Sequence, residues 1–104
     1  MEKLPKRYVD FRETFPEIAE AYDAIGEAAG KAGPLDEKSR RLVKLALSVG
    51  GRQQGSVHSH TRRALEAGVS KEELLQVVAL AVTSIGFAPS VAAYSWIQEV
   101  LEGR

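Results

Sequence analysis

The pattern of hydrophobic and polar positions is helical along most of this chain. An apolar stripe with the three-and-four spacing of one buried helix face is formed by Ile18, Ala19, Tyr22, Ile25 and Ala29. Pro16 suits the first turn of a helix because its ring fixes φ and its missing N–H would have no partner there. The pattern therefore predicts a helix over residues 16–29.

Start and stop residues divide the rest of the chain into further helices. Asp36 is a suitable N-cap, and Ser70 followed three residues later by Glu73 is the pattern of a capping box. Gly68 stands where a left-handed C-terminal residue is expected. We therefore expect a short helix or docking arm over residues 1–13 and helices over residues 37–49, 52–67, 71–85 and 89 to the C-terminus.

The segment 71–85 is apolar on almost every side, which predicts a helix buried all round. A small domain buries only about two-thirds of its chain surface on folding, so a chain of this size is expected to leave apolar helix faces exposed. We predict an all-α fold of five to six helices that oligomerises through these faces. The simplest closed contact is two-fold, so a dimer-based homo-oligomer is expected, with a hexamer as a larger closed form.

Length and composition indicate one domain over residues 1–104. The chain is 44% hydrophobic and 27% charged, a globular balance. It contains no apolar run near the roughly 20 residues that cross a bilayer and no signal-like start, so we expect a cytoplasmic protein without a membrane partner. The absence of cysteine excludes thiolate nucleophiles and thiolate metal ligands.

The charges cancel overall but are unevenly distributed. Fourteen basic residues balance fourteen acidic ones, which argues against non-specific nucleic-acid binding. Residues 31–63 carry eight bases and two acids, whereas the segments before and after them are each net acidic. Two interpretations remain open: the blocks pair across helices as salt bridges, or the central block lines a site for a small anionic molecule.

Residues 36–93 carry a family resemblance. His60-Thr61, Ala64-Leu65, Ala67-Gly68, Ser70 with Glu72-Glu73-Leu74, and then Gly86, Pro89 and Ala92-Ala93 occur in an order and spacing that resemble the core of the carboxymuconolactone decarboxylase/AhpD-like family. The resemblance covers a little over half of the chain. It implies the AhpD-like helical fold but does not identify one reaction.

The same resemblance shows what this chain lacks. In the redox branch of the family, two cysteines precede a histidine and a glutamate lies one helix earlier. With His60 as the histidine, the cysteine positions fall on Gln53 and Ser56, and the glutamate position falls on Arg41. A serine hydroxyl cannot cycle through a sulfenic acid and a disulfide, so alkylhydroperoxidase or peroxiredoxin-type activity is not expected.

His60 is the first candidate catalytic residue. It lies three residues after Val57 and four before Ala64, on the face of the helix that is predicted to pack inward. A buried histidine can simply hold helices together by hydrogen bonds. It can also act as a general acid or base, because its unperturbed pKa of about 6.5 allows proton exchange at neutral pH. Both interpretations stay open.

Ser56 and His58 are the other candidates on this helix. Ser56 lies one turn before His60, so the two side chains could form a nucleophile and base pair. No nucleophile elbow or third orienting residue is evident, which favours a packing or hydrogen-bonding role for this serine. His58 lies about 200° round the helix from His60, as a surface, interface or substrate-binding residue. Because histidines at this spacing cannot ligate one metal, we expect no metal site.

Four arginines are candidates for binding a carboxylate, since guanidinium groups pair with carboxylates in a bidentate manner. Solvated helix surfaces are the alternative for each of them. They are Arg41, Arg52, Arg62 and Arg63. Tyr94 and Trp96 are interpreted as core or interface aromatics rather than ligand-stacking residues.

Three hypotheses for function follow. The first is acid/base chemistry of the lyase or isomerase type on a small carboxylated substrate through His60, without a cofactor. The second is a non-catalytic helical oligomer that binds a small molecule or partner. The third, a peroxidase, has no residue in this chain to accept the oxygen atom.

Overall fold

The computed structural model describes residues 4–103, in which there are six helices and no strand. The first three residues of the predicted N-terminal arm lie outside this range. None of the helices in the described part of the chain has the length and apolar character that crossing a bilayer requires. The helices are α1 (Lys6–Thr14), α2 (Pro16–Gly30), α3 (Glu37–Gly50), α4 (Gln54–Glu66), α5 (Lys71–Ile85) and α6 (Phe87–Leu101).

Local signals set most helix ends where the sequence predicts them. The Asp36 carboxylate accepts the Ser39 N–H at 2.8 Å and caps α3. The Ser70 hydroxyl accepts the Glu73 N–H while the Glu73 carboxylate accepts the Ser70 N–H, so the capping box that opens α5 is confirmed. Gly68 has φ +91°, the left-handed conformation expected after α4.

Two helix starts differ from the prediction. The last helix begins at Phe87 rather than at Pro89, because the first turn of a helix tolerates a residue that lacks an N–H. Arg52, expected to open α4, instead has φ +56° in the connection, and α4 begins at Gln54. The positive φ is incompatible with a right-handed helix.

The contacts divide the chain into two units, residues 1–34 and residues 35–104. The first unit contains α1 and α2, which are joined by Arg12 and Asp23 in a bidentate pair that includes a 3.0 Å contact from Nη1 to Oδ1. In α2 the buried residue is Ala19. Ala19 belongs to the predicted buried stripe, and its burial is confirmed. The prediction is wrong for Ile18, Tyr22 and Ile25, which are 55%, 63% and 68% exposed, because the side of α2 that bears Asp23 meets α1.

In the second unit, α3 packs against α4 and α5, and α6 packs against the same two helices. The core lies between these four helices and consists mainly of Leu45, Val49, Val57, Ala64, Leu74, Val78 and Ile97.

The expectation that the fifth helix is buried all round is wrong for the single chain. Leu74 and Val78 are buried, but Leu80 is 63% exposed and Val82 is 39% exposed. Within the described residues of the second unit, α5 packs mainly against α3 and α6, and Leu80 and Val82 remain exposed beside these contacts. The α5 helix therefore presents apolar side chains at the surface of this unit.

Candidate functional site

His60 lies in the middle of α4, between two fully buried positions of the same helix. Val57 precedes it by three residues and Ala64 follows it by four, and both have no exposed surface. The His60 ring itself is half-buried. His60 therefore lies on the inward-facing side of α4, as the sequence predicts. Its ring is only partly covered and lies at the edge of the core.

The charges of three cations act on His60. Burial lowers the pKa of His60 below 6.5, and the charges of Lys44, Arg63 and Arg41 lower it further, in that order of effect. Lys44 and Arg41 lie one turn apart on α3, while Arg63 lies one turn after His60 on α4. We name these four residues the His60 cluster. Burial and the three cations therefore favour the neutral form of the His60 imidazole.

The Nδ1 atom of His60 is buried and has no hydrogen-bond partner among the described residues. Buried polar atoms in native proteins nearly always have a partner, and leaving one unpaired costs about 1–3 kcal/mol. The Ser56 hydroxyl, one turn earlier and half-buried, is therefore not bonded to this nitrogen. The predicted pairing of a serine nucleophile with a histidine base is not formed through Nδ1.

Two of the four candidate arginines act on His60 and the other two do not. Arg41 and Arg63 belong to the His60 cluster. Arg52, in the connection before α4, and Arg62, two residues after His60, are not among the cations whose charges act on that ring. A spacing of two residues places Arg62 about 200° from His60 around the helix.

Lys44 is the residue that the sequence analysis missed. Its charge has the largest effect on His60 of the three cations. Its position three residues after Arg41 was the available signal, because residues at this spacing share one helix face.

His58 points away from the His60 cluster. Its Nε2 lies 2.7 Å from Oε1 of Glu99 on α6, and the two side chains are 23% and 35% exposed. His58 thus contacts α6, whereas His60 is acted on by two cations of α3 and one of α4. Among residues 4–103, no group of three histidine or acidic side chains could hold a metal ion.

A separate apolar groove of about 410 Å³ lies between α3 and α5. Its walls include Leu42, Val49, Val77, Leu80, Ala81 and Ile85. None of the four members of the His60 cluster lines it. Glu73 is the titratable residue among those that line the groove. Its carboxylate is already bound by Lys38 and by the Ser70 N–H of the capping box, so the groove is poorly suited to proton transfer.

Comparisons with known proteins agree with this architecture. The model of the carboxymuconolactone decarboxylase family matches residues 16–99. The crystal structure of apo-lpg0406, a carboxymuconolactone decarboxylase family protein from Legionella pneumophila, has a TM-score of 0.77 and 29% sequence identity, covering 92% of this chain and 86% of that chain. An uncharacterized protein of Haemophilus influenzae is 31% identical over 61 residues, which are 59% of this chain and 54% of that protein. This chain thus matches about half the length of that relative. The family match extends beyond the motif at residues 36–93 on both sides.

Proposed function

Because this chain belongs to the carboxymuconolactone decarboxylase family, we propose that it catalyses proton transfer on a small carboxylated substrate, with His60 as the general base and acid. The observation that carries this proposal is the His60 cluster, in which burial and the charges of three cations favour the neutral form of a half-buried imidazole. Such a site offers a proton acceptor next to groups that bind an anion.

The cations and the histidine act together in this proposal. In the free protein, Lys44, Arg63 and Arg41 hold the pKa of His60 low. A substrate carboxylate would neutralise part of their charge, so the pKa of His60 would rise on binding. A base is most effective when its pKa lies near the working pH, and substrate binding would therefore prepare His60 to accept a proton.

The unpaired Nδ1 of His60 also favours a functional role. A histidine retained only to join helices would be expected to use its buried nitrogen in a hydrogen bond, as His58 does with Glu99. A proton taken from a carbon atom next to the substrate carboxylate would reside on the imidazole and return to the product. One such group accelerates a reaction by about 10²–10⁴, so positioning by the cations would supply the rest.

The cysteine positions of the redox branch are occupied by Gln53 and Ser56, and the chain has no cysteine. A thiol peroxidase reaction therefore has no nucleophile in this chain. The proposed chemistry uses only proton transfer and requires no redox step.

Binding is tested first, with small carboxylates and lactones in a thermal-shift titration at pH 7.5. A ligand present at a hundred times its dissociation constant stabilises the fold by about 2.7 kcal/mol. We expect a saturable shift with a carboxylated compound that is weakened in Lys44→Gln and Arg63→Gln. Arg52→Gln is the matched control, because this cation lies outside the His60 cluster, and it should bind as the wild type does.

Turnover is tested with the compound that binds, by following deuterium uptake from D₂O into its carbon-bound positions by NMR. Wild type should catalyse the exchange, and His60→Gln should bind the compound but lose the exchange. Equal binding by wild type and Lys44→Gln, or undiminished exchange in His60→Gln, would contradict the proposal.

A further inference from the structure

The three cations of the His60 cluster have no acidic partner within residues 4–103. None of them forms an ion pair in this part of the chain. Lys38 of the same helix α3 differs, because its Nζ lies 3.2 Å from Oε1 of Glu73. No carboxylate is among the described groups whose charges act on His60 either. The positive charge that acts on His60 is therefore uncompensated within the described residues and is available to a bound anion.

The cations act on His60 from two helices. Arg41 and Lys44 are half-buried on one face of α3, and Arg63 lies exposed on α4, three residues after the histidine. The α3 and α4 helices pack against each other, and the half-buried His60 ring lies at the edge of the core between them. Both helices can therefore contribute to binding an anion next to this ring.

A histidine in this setting is a weak base. Burial and the cations lower the pKa of His60, and no described carboxylate stabilises its protonated form. Each unit by which the pKa of a carbon acid exceeds that of the base costs about 1.4 kcal/mol. A hydrogen on a carbon that is next to a carboxylate alone is too weakly acidic for such a base. The substrate itself must therefore make the C–H bond more acidic.

A ketone on the other side of that carbon has this effect. When the proton leaves, the electron pair of the C–H bond is delocalised onto the ketone oxygen, so the negative charge forms as an enolate. The substrate then carries two negative groups, a carboxylate on C1 and an enolate oxygen on C3. The three uncompensated cations of the His60 cluster suit this distribution of charge, because one negative group does not neutralise them.

We propose that the substrate is a small 3-oxo carboxylate, whose keto and enol forms this protein interconverts. His60 removes a proton from C2, the electron pair of that C–H bond forms the C2=C3 double bond, and the electron pair of the C3=O bond moves to oxygen. The imidazolium then returns the proton to this oxygen, which completes the enol. The inference rests on the proposed function and names its substrate class.

The same cations oppose loss of the carboxylate. Decarboxylation would convert an anion held by Lys44, Arg41 and Arg63 into neutral CO₂, so these cations would stabilise the starting carboxylate more than the departing group. The enolate, in contrast, gains negative charge in the transition state and is stabilised by them. We therefore expect proton exchange without formation of CO₂.

Hydrogen exchange of 3-oxobutanoate in D₂O tests the inference, followed by NMR at pH 7.5 and compared with exchange in buffer alone. We expect the wild type to accelerate exchange at C2 by about 10²–10⁴. Two matched probes should bind without exchange at C2: butanoate, which lacks the ketone, and 4-oxopentanoate, in which no single carbon lies between the two groups.

Three variants separate the roles of the side chains. His60→Gln should bind 3-oxobutanoate and lose the acceleration. Lys44→Gln should lower the exchange rate at saturating substrate by about a hundredfold, because the enolate loses a cation. Arg52→Gln, whose cation does not act on His60, should exchange 3-oxobutanoate as the wild type does. Unchanged far-UV circular dichroism shows that each variant folds.

The outcomes distinguish this inference from the proposed function. Exchange of another carboxylated compound but not of 3-oxobutanoate would overturn the inference and leave the proposed function standing. Equal acceleration at C2 of butanoate, or conversion of 3-oxobutanoate to acetone and CO₂ in place of exchange, would do the same. Absence of exchange with every carboxylated compound would contradict both.

Discussion

Nε2 of His58 lies 2.7 Å from Oε1 of Glu99 and joins the middle of α4 to the last turn of α6. The two residues are 41 positions apart in the sequence, and both side chains are largely shielded from water. A hydrogen bond to a charged group in such a place contributes more than an exposed ion pair does. This contact therefore helps to hold the α4 helix, and with it His60, against the rest of the bundle.

We expect Glu99→Gln to lower the free energy of unfolding by about 1–2 kcal/mol, because the bond to His58 loses its charge assistance. Urea unfolding at pH 7 measures the effect. Glu66→Gln is the control, since this acid lies exposed at the end of α4, and it should change stability by less than about 0.5 kcal/mol. An equal loss in the free energy of unfolding in both variants would show that the His58–Glu99 contact stabilises the fold no more than an exposed acid does.

The electrostatic coupling between Lys44 and His60 leads to a second prediction. Lys44→Met should raise the pKa of His60, because the largest of the three cationic effects on the ring is removed. The chain has two histidines, so NMR titration of their ring protons can follow each one separately. Lys71→Met, at the exposed start of α5, should leave the His60 titration unchanged. An unaltered His60 pKa in Lys44→Met would mean that the lysine does not act on the ring.

The lowered pKa of His60 also predicts how stability depends on pH. In the unfolded chain the histidine has a pKa of about 6.5, so between 6.5 and the lower folded value the unfolded state binds more protons. The contribution of His60 to the free energy of unfolding is therefore fully present above pH 6.5. It is lost as the pH drops through this window, by less than about 1.4 kcal/mol per pH unit.

Urea unfolding of wild type and His60→Gln between pH 7.5 and 5.5 tests this sign. The carboxyl groups of Asp36 and Glu73 do not interfere, because their hydrogen bonds and neighbouring cations hold their pKa values below 3.8 and 4.5. The wild type should lose more stability than the variant over this range. The opposite order would imply that folding favours the charged imidazole.

Two glycines should respond in opposite directions to the same substitution. Gly68 has φ +91°, where a Cβ atom costs about 1–2 kcal/mol, so Gly68→Ala should destabilise the protein. Gly26 lies inside α2 with open space where a Cβ would stand, so Gly26→Ala should stabilise it by about 0.5–1 kcal/mol. Thermal unfolding of the two variants gives the comparison, and a gain in stability from Gly68→Ala would contradict the left-handed turn.

Local features of the fold were predictable because their causes lie within a few residues. The N-cap of Asp36, the capping box of Ser70 and Glu73, and the left-handed Gly68 all depend on atoms at most five positions away. The family resemblance of residues 36–93 likewise depends on fixed spacings along the chain. All of these predictions are confirmed.

Burial was predicted less well, since a helical stripe does not reveal which neighbour covers it. Ile18, Tyr22 and Ile25 have the spacing of a buried face and are exposed. The fifth helix was expected to be covered on every side, yet its Leu80 lies in water in the single chain. Both errors arise because periodicity reports only that a face is apolar.

The sequence by itself determined the helices, their caps, the family and the absence of thiol chemistry, because these follow from short-range geometry and from composition. Only the tertiary structure decided which charges meet: it brings Lys44 and Arg41 to His60, leaves Arg52 and Arg62 outside that cluster, and pairs His58 with Glu99. The reason is physical. Helix formation depends on neighbours within about four residues, whereas the packing of α3 and α6 against α4 is set by the whole core.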